Sequence, residues 1–213
     1  MDAAKCAAPF NSNVRQYKNM VEKVACTKCG VLILPATAAK NDGVCMPCKT
    51  GNRESIENSK LYYKKERELD KTCPFRAKWR ELVDNVYNQP KGFNGLSEDE
   101  KIYFAVKVLD GKIINGGIIQ FFDNSSGEYY LYAESGLICL GANNSLAILR
   151  AAKKEIFGED EVPKDHMKRA AIMRNINCDE ALDKMDDEYY KDLDDLGTKI
   201  DSFAIETGIV KNA

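Results

Sequence analysis

The chain has 213 residues, of which 44% are hydrophobic and 30% are charged, and its formal net charge is −2 at pH 7. This composition is typical of one globular domain, or of one domain with a small module, and it excludes wholesale disorder and fibrous classes. No apolar run reaches the roughly 18 to 20 residues of a membrane-spanning helix, and the first residues lack the pattern of a secretory signal. We therefore expect a cytoplasmic protein.

The charges are distributed unevenly along the chain. Residues 1–78 contain 15 Lys and Arg against 8 Asp and Glu, a net +7, whereas residues 79–213 contain 16 against 25, a net −9. The two parts are therefore interpreted separately. The chain has one histidine, His166, which excludes a histidine-rich metal site and leaves little room for a histidine-centred triad.

In the basic part, a short helix is predicted from Asn13 to Val24, ahead of two cysteine pairs. These pairs are Cys26-Thr27-Lys28-Cys29 and Cys45-Met46-Pro47-Cys48, with 15 residues between them. This is the spacing of a four-thiolate zinc site, in which each pair turns tightly and presents both sulfurs to one metal. Four thiolates fill the tetrahedron, so we predict one structural Zn²⁺ on Cys26, Cys29, Cys45 and Cys48. The apolar run 31–34 predicts a short strand, and hence a zinc ribbon.

Two other chemistries use paired cysteines. Two disulfides conflict with a cytoplasmic protein, and a thioredoxin-like redox pair needs only one Cys-x-x-Cys. The other four cysteines lie in or beside apolar segments and are interpreted as inert buried thiols, with Cys139 in the core. These are Cys6, Cys73, Cys139 and Cys178.

Residues 53–71 combine many charges with no Gly or Pro, which is typical of an exposed connecting helix. Its Lys64, Lys65 and Arg67 could contact nucleic acid, although a solvated helix is the commoner case. The predicted organisation is mainly α. It comprises a segment with the zinc ribbon over residues 1–52, the connecting helix over 53–73 and a single helical domain over 74–213.

The helical domain is predicted from apolar residues that recur every three or four positions from Pro74 onward. Ser97 and Glu100 form a capping box, and Asn115-Gly116-Gly117 ends the helix that follows it. The expected helices cover residues 74–89, 98–115, 118–122, 128–140, 145–157, 165–174 and 179–206.

The most distinctive string runs from Asn115 to Gly127. It lacks the Lys-Ser/Thr of a phosphate-binding P-loop and follows no strand, so we interpret it as a corner between helices, with buried Phe rings and a cap. The residues that carry it are Asn115, Gly116, Gly117, Gln120, Phe121, Phe122, Asn124 and Gly127.

With the later Gly141-Ala142, this string makes the run from Trp79 to Phe157 resemble the helical domain of the bacterial DNA-mimic protein family, formerly a domain of unknown function. The resemblance implies an all-helical fold and no catalysis. It also implies an acidic surface that occupies the DNA-binding site of a regulatory protein. The motif residues themselves are those expected to determine the fold.

The candidate acidic surface is the predicted final helix, where 11 Asp and Glu stand against three Lys. The alternatives are a solvated face that keeps the protein soluble, and pairing with the basic part of the same chain. Acid–base chemistry is disfavoured because no histidine or second metal motif organises these carboxylates. The candidate partner-binding residues are Asp179, Asp183, Asp186, Asp187, Asp194 and Asp201.

These observations predict a non-enzymatic interaction protein that binds a basic partner, either a DNA-binding regulator or a toxin. Its oligomeric state is left open, and a homodimer is compatible with the sequence. The alternative is a zinc-ribbon adaptor that binds nucleic acid through the basic N-terminal part. An enzyme is the third class, and the sequence offers no catalytic constellation for it.

Overall fold

In a computed structural model, residues 22–176 and 178–211 are described and form two short strands and ten α-helices. The mainly α prediction is confirmed. The described residues divide into two compact units, the first ending at Arg67 and the second beginning at Glu68. Among the described residues, no helix is both long enough and apolar enough to cross a membrane.

The first unit contains a two-residue hairpin ladder in which β1 (Val24–Ala25) pairs antiparallel with β2 (Leu32–Ile33). The strand predicted within residues 31–34 is therefore confirmed. Two short helices follow, α1 (Pro35–Lys40) and α2 (Met46–Lys49), each with a proline in its first turn. The predicted helix from 13 to 24 falls mostly outside the described residues, and its last residue lies in β1.

The charged segment forms one helix, α3 (Arg53–Thr72), in which no residue is buried. Because none of its residues is buried, this helix gains little stability from core packing. Its charged side chains are solvated, and the ion pairs between them stabilise the helix instead. The exposed helix predicted over residues 53–71 is confirmed.

The second unit is built around α5 (Glu98–Asp123), which packs against most of the other helices of that unit. Its start is fixed by the predicted capping box: the Ser97 hydroxyl accepts from the Glu100 amide, and the Glu100 carboxylate accepts from the Ser97 amide. The surrounding helices bury a single apolar core against it. They are α4 (Pro74–Asn88), α6 (Tyr130–Cys139), α7 (Asn143–Phe157), α8 (His166–Met173), α9 (Asp179–Tyr189) and α10 (Leu196–Glu206).

The helix α5 is bent at Gly116 and Gly117, whose backbone angles are not helical. Gly117 has φ +77°, a conformation that L side chains rarely adopt. The predicted helix end at this point and the brief helix after it are therefore both confirmed. The short piece, Ile118–Asp123, buries the rings of Phe121 and Phe122 completely.

Two sequence predictions are wrong. The final helix from 179 to 206 is two helices, α9 and α10, and Leu193 between them is exposed. Asp192 and Asp195 take positive φ in this connection, and the Asp192 carboxylate accepts from the Leu196 amide. Asp side chains bond nearby backbone amides in this way and so interrupt a helix. Of the four cysteines predicted to be buried, Cys139 is exposed and Cys73 is only half-buried, whereas Cys178 is buried as predicted. Cys6 lies outside the described residues.

Replacing Phe121 by Ala should lower the free energy of unfolding of the second unit by about 3 to 5 kcal/mol, because the fully buried ring leaves a cavity. Urea denaturation followed by the fluorescence of Trp79, which stacks on the buried Phe104, measures this cost. Ile119→Ala is the matched control, since Ile119 lies in the same short helix but is 40% exposed. Equal losses in the two variants would contradict the packing described.

Candidate functional site

The sulfur atoms of Cys26, Cys29, Cys45 and Cys48 lie within 4.8 Å of one another. The Cys29 and Cys45 sulfurs are 3.7 Å apart. Zinc–sulfur bonds of about 2.3 Å in a tetrahedron place sulfurs roughly 3.8 Å apart, whereas a disulfide would need about 2.05 Å. The four sulfurs are therefore close enough to hold one metal ion, and the Cys29 and Cys45 sulfurs are too far apart for a disulfide.

Local backbone structure positions the four thiols. The Cys26 amide donates to the Val31 carbonyl at 2.8 Å, which closes the turn after β1. Cys45 directly precedes α2, so its own amide is free of the helix ladder and donates to the Cys26 sulfur at 3.2 Å. A helix start thus brings the second pair against the first.

The surroundings of the cysteines favour the thiolate form at Cys26 and at Cys45. The hydrogen bond from the Cys45 amide lowers the pKa of Cys26 to about 6. Burial alone would raise the pKa of Cys45, but hydrogen bonds led by that from Arg53 outweigh it and lower this pKa. Burial raises the pKa of Cys48 to about 12. A bound divalent cation would hold all four as thiolates, as a four-sulfur site requires.

The six candidate partner-binding aspartates do not share one environment. Asp186 is half-buried, and its carboxylate accepts from the Ile118 amide at 2.7 Å. Asp194 is also half-buried, and it accepts from the Ser145 amide at 2.7 Å and from the Ser145 hydroxyl at 2.9 Å. These two carboxylates cap the starts of other helices and therefore serve the fold.

Three of the other candidates, Asp179, Asp183 and Asp187, are exposed on α9. Their spacing of four residues places them on one face of that helix. Asp201 lies on α10 instead and is half-buried. The exposed acidic row, as we call Asp179, Asp183 and Asp187, is thus the part of the candidate set that the structure brings together at the surface.

The N-terminal part of the motif string meets the bend in α5. The Asn115 amide group donates to the Gln120 side-chain oxygen at 3.2 Å, which bridges the bend. A Cβ atom on Gly117 would lie 2.2 Å from the Asp186 carboxylate. Gly117 is therefore needed both for its positive φ and for the approach of Asp186.

The C-terminal part of the string surrounds Arg169, a fully buried residue on α8 that the sequence analysis missed. Its guanidinium donates to the Phe122 and Asn124 carbonyls at 2.8 and 2.6 Å, and also to those of Pro163 and Lys164. Four carbonyl oxygens thus compensate the buried charge. No local pattern marks Arg169, because these partners lie up to 47 residues away.

The backbone of Gly127 lies very close to Arg169 and to the Phe122 carbonyl group. A Cβ atom there would lie 2.5 Å from Arg169 Nε and 2.9 Å from the Phe122 carbonyl oxygen. The string from Asn115 to Gly127 therefore positions the backbone against two charged side chains from other helices, which supports its interpretation as a fold determinant.

The fold and these sites define a class of protein: a helical domain with an exposed acidic row, preceded by a small module whose four clustered cysteines could hold a metal ion. A family model described as DMP19-like protein matches residues 94–207, more than half of the chain, and the chain belongs to that family. The resemblance drawn from the motif string is thereby confirmed at the level of the family. The chain matches no curated protein and no solved structure.

Replacing Gly127 by Ala should cost about 1 to 3 kcal/mol of unfolding free energy, because the added methyl group displaces Arg169 from its carbonyl partners. Gly111→Ala is the control, since this exposed glycine of α5 has open space at its Cβ position. That change should stabilise the second unit by up to about 1 kcal/mol. If Gly127→Ala were neutral in urea denaturation, the close approach to Arg169 would not be needed for stability.

Proposed function

We propose that this chain is a non-catalytic interaction protein that binds a basic protein through the exposed acidic row of α9. This proposal rests on the different environments of the carboxylates of α9. Asp186 is used inside the fold, whereas Asp179, Asp183 and Asp187 face solvent on one side of the same helix. Membership in the DMP19-like family supports a role in protein interaction.

The line of negative charges on α9 favours a partner with a basic groove or patch. Residues four apart on a helix are separated by about 6 Å along its axis, and each DNA strand carries one charge per roughly 3.4 Å. The exposed Glu180 and Glu188 add to the row, although Lys184 and Lys191 pair with them. The row is thus about half as dense in charge as a DNA strand, and what it shares with DNA is the sign and the linear arrangement of its charges. A basic groove or patch, as in a DNA-binding regulator or a basic toxin, is the surface of matching sign.

The metal centre has a separate and structural role in this proposal. Zn²⁺ is the ion that four thiolates in a tetrahedron favour, and all its coordination positions are then filled by the protein. Few apolar side chains are buried among the described residues of the first unit, so the ion would supply much of the free energy that holds the two cysteine pairs together.

A second function, nucleic-acid binding by the first unit, rests on a different observation. On α3 the basic side chains of Lys64, Lys65 and Arg67 are exposed next to two exposed tyrosines, Tyr62 and Tyr63. Basic residues beside exposed aromatic rings are the combination that holds single-stranded nucleic acid by charge and stacking.

Elemental analysis of the purified chain should find about one zinc per molecule. Cys26→Ser should remove it and unfold the first unit locally, while the second unit keeps its helical circular dichroism because it has its own core. Cys139→Ser is the control, since that thiol is exposed and distant in sequence from the cluster. A metal-free wild-type chain with an unchanged first unit would refute the metal centre.

Replacing Asp179, Asp183 and Asp187 by Asn should weaken the complex with the partner captured from the native cell, and the wild-type affinity should fall steeply with salt. The control variant neutralises Glu159, Asp160 and Glu161, three exposed residues after α7, and so changes the net charge equally. Asp186 and Asp194 are left intact because their loss would disturb helix caps.

Equal weakening by the acidic-row variant and by its control would show that only net charge matters, and would refute the α9 surface. The adaptor function predicts another result: in a gel-shift titration the wild type binds DNA or RNA tightly, and changing Lys64, Lys65 and Arg67 to Gln abolishes binding.

A further inference from the structure

Arg53, the first residue of α3, reaches back to the second cysteine pair. Its Nη2 donates to the Cys45 sulfur at 3.1 Å, and the same guanidinium is close enough to Cys48 to act against the burial that raises the pKa of that thiol. On its other side, Nη1 donates to the Glu57 carboxylate at 3.0 Å, one turn along the helix. One side chain therefore joins the cysteine cluster to the first turn of the connecting helix.

If the four cysteines hold a divalent metal, Arg53 lies where it can compensate the negative charge of the metal–thiolate group. Four thiolates around one Zn²⁺ leave two excess negative charges in the centre. A guanidinium is always charged, and its planar set of donors can serve two acceptors at once. A hydrogen bond from a cation to a coordinated sulfur opposes both protonation of that sulfur and its exchange for another ligand.

Two described lysines next to the cysteine pairs, Lys28 and Lys49, are less well placed for this task. The Lys49 ammonium group donates to the Asn41 side chain at 2.8 Å, and Lys28 is exposed. By contrast, the Arg53 side chain is only 23% exposed, so its contact with Cys45 is partly protected from water and from salt.

We propose that Arg53 is the positioning residue of the metal centre: it compensates the charge of the metal–thiolate group and couples metal binding to the first turn of α3. The inference rests on the proposed zinc centre and adds a residue that the cysteine spacing does not reveal. Removal of the metal should therefore destabilise the first turn of α3 more than the middle of that helix.

The test compares three variants of the full chain: Arg53→Gln, Arg53→Lys and Glu57→Gln. Each is loaded with zinc, and the rate of zinc transfer to a chromogenic chelator is measured. Arg53→Gln should release zinc roughly 10 to 100 times faster than the wild type. Arg53→Lys should release it more slowly than Arg53→Gln, because Lys restores the charge but not the two-sided contact.

Glu57→Gln separates this role from a merely structural one. It removes the helix partner of Arg53 but keeps the guanidinium beside Cys45, so zinc release should stay within about twofold of the wild type. Hydrogen exchange supplies a second readout: chelation of the metal should speed exchange of the amides after residue 53 in the wild type.

Each result decides the matter. If Arg53→Gln releases zinc at the wild-type rate, or if Glu57→Gln speeds release as much as Arg53→Gln does, Arg53 is not the positioning residue. Failure of Arg53→Lys to slow release relative to Arg53→Gln would contradict the role of charge. A wild-type chain without zinc would instead refute the metal centre itself, which distinguishes the two failures.

Discussion

The second unit depends on how the short helical piece Ile118–Asp123 is held at both ends. After the bend at Gly117, the Asp186 carboxylate accepts from the first amide of this piece, and Arg169 donates to carbonyls at its end. Both charges match the helix dipole, which favours anions at the start of a helix and cations at its end. Two charged residues from α8 and α9 thereby fix the piece that carries Phe121 and Phe122.

The same contacts determine which side of α9 faces solvent. Asp186 points to the bend, and the hydroxyl of Tyr189 donates to the half-buried Asp110 on α5 at 3.0 Å. Because these residues tie one face of α9 to α5, the acidic row is left on another face. The proposed binding surface is thus a consequence of how the core is assembled, since the orientation of α9 is fixed before any partner binds.

The first unit follows a different physical rule. Its strands have two residues each, and among the described residues of this unit only Cys26, Asn41 and Cys45 are buried. A segment of this kind gains little free energy from apolar burial, so metal–thiolate bonds and the Arg53 contact would replace a hydrophobic core.

The sequence by itself determined the features that depend on neighbours a few residues apart. The cysteine spacing, the capping box at Ser97 and the apolar period of most helices required no tertiary information, and the glycine pair correctly marked the bend in α5. Only the tertiary structure decided that Asp186 and Asp194 cap other helices, that Arg169 is buried and that α9 and α10 are separate. The physical reason is distance along the chain: Asp186 meets Ile118 across 68 residues, and Asp194 meets Ser145 across 49. A local pattern of carboxylates is the same whether each one is solvated or caps a helix far away.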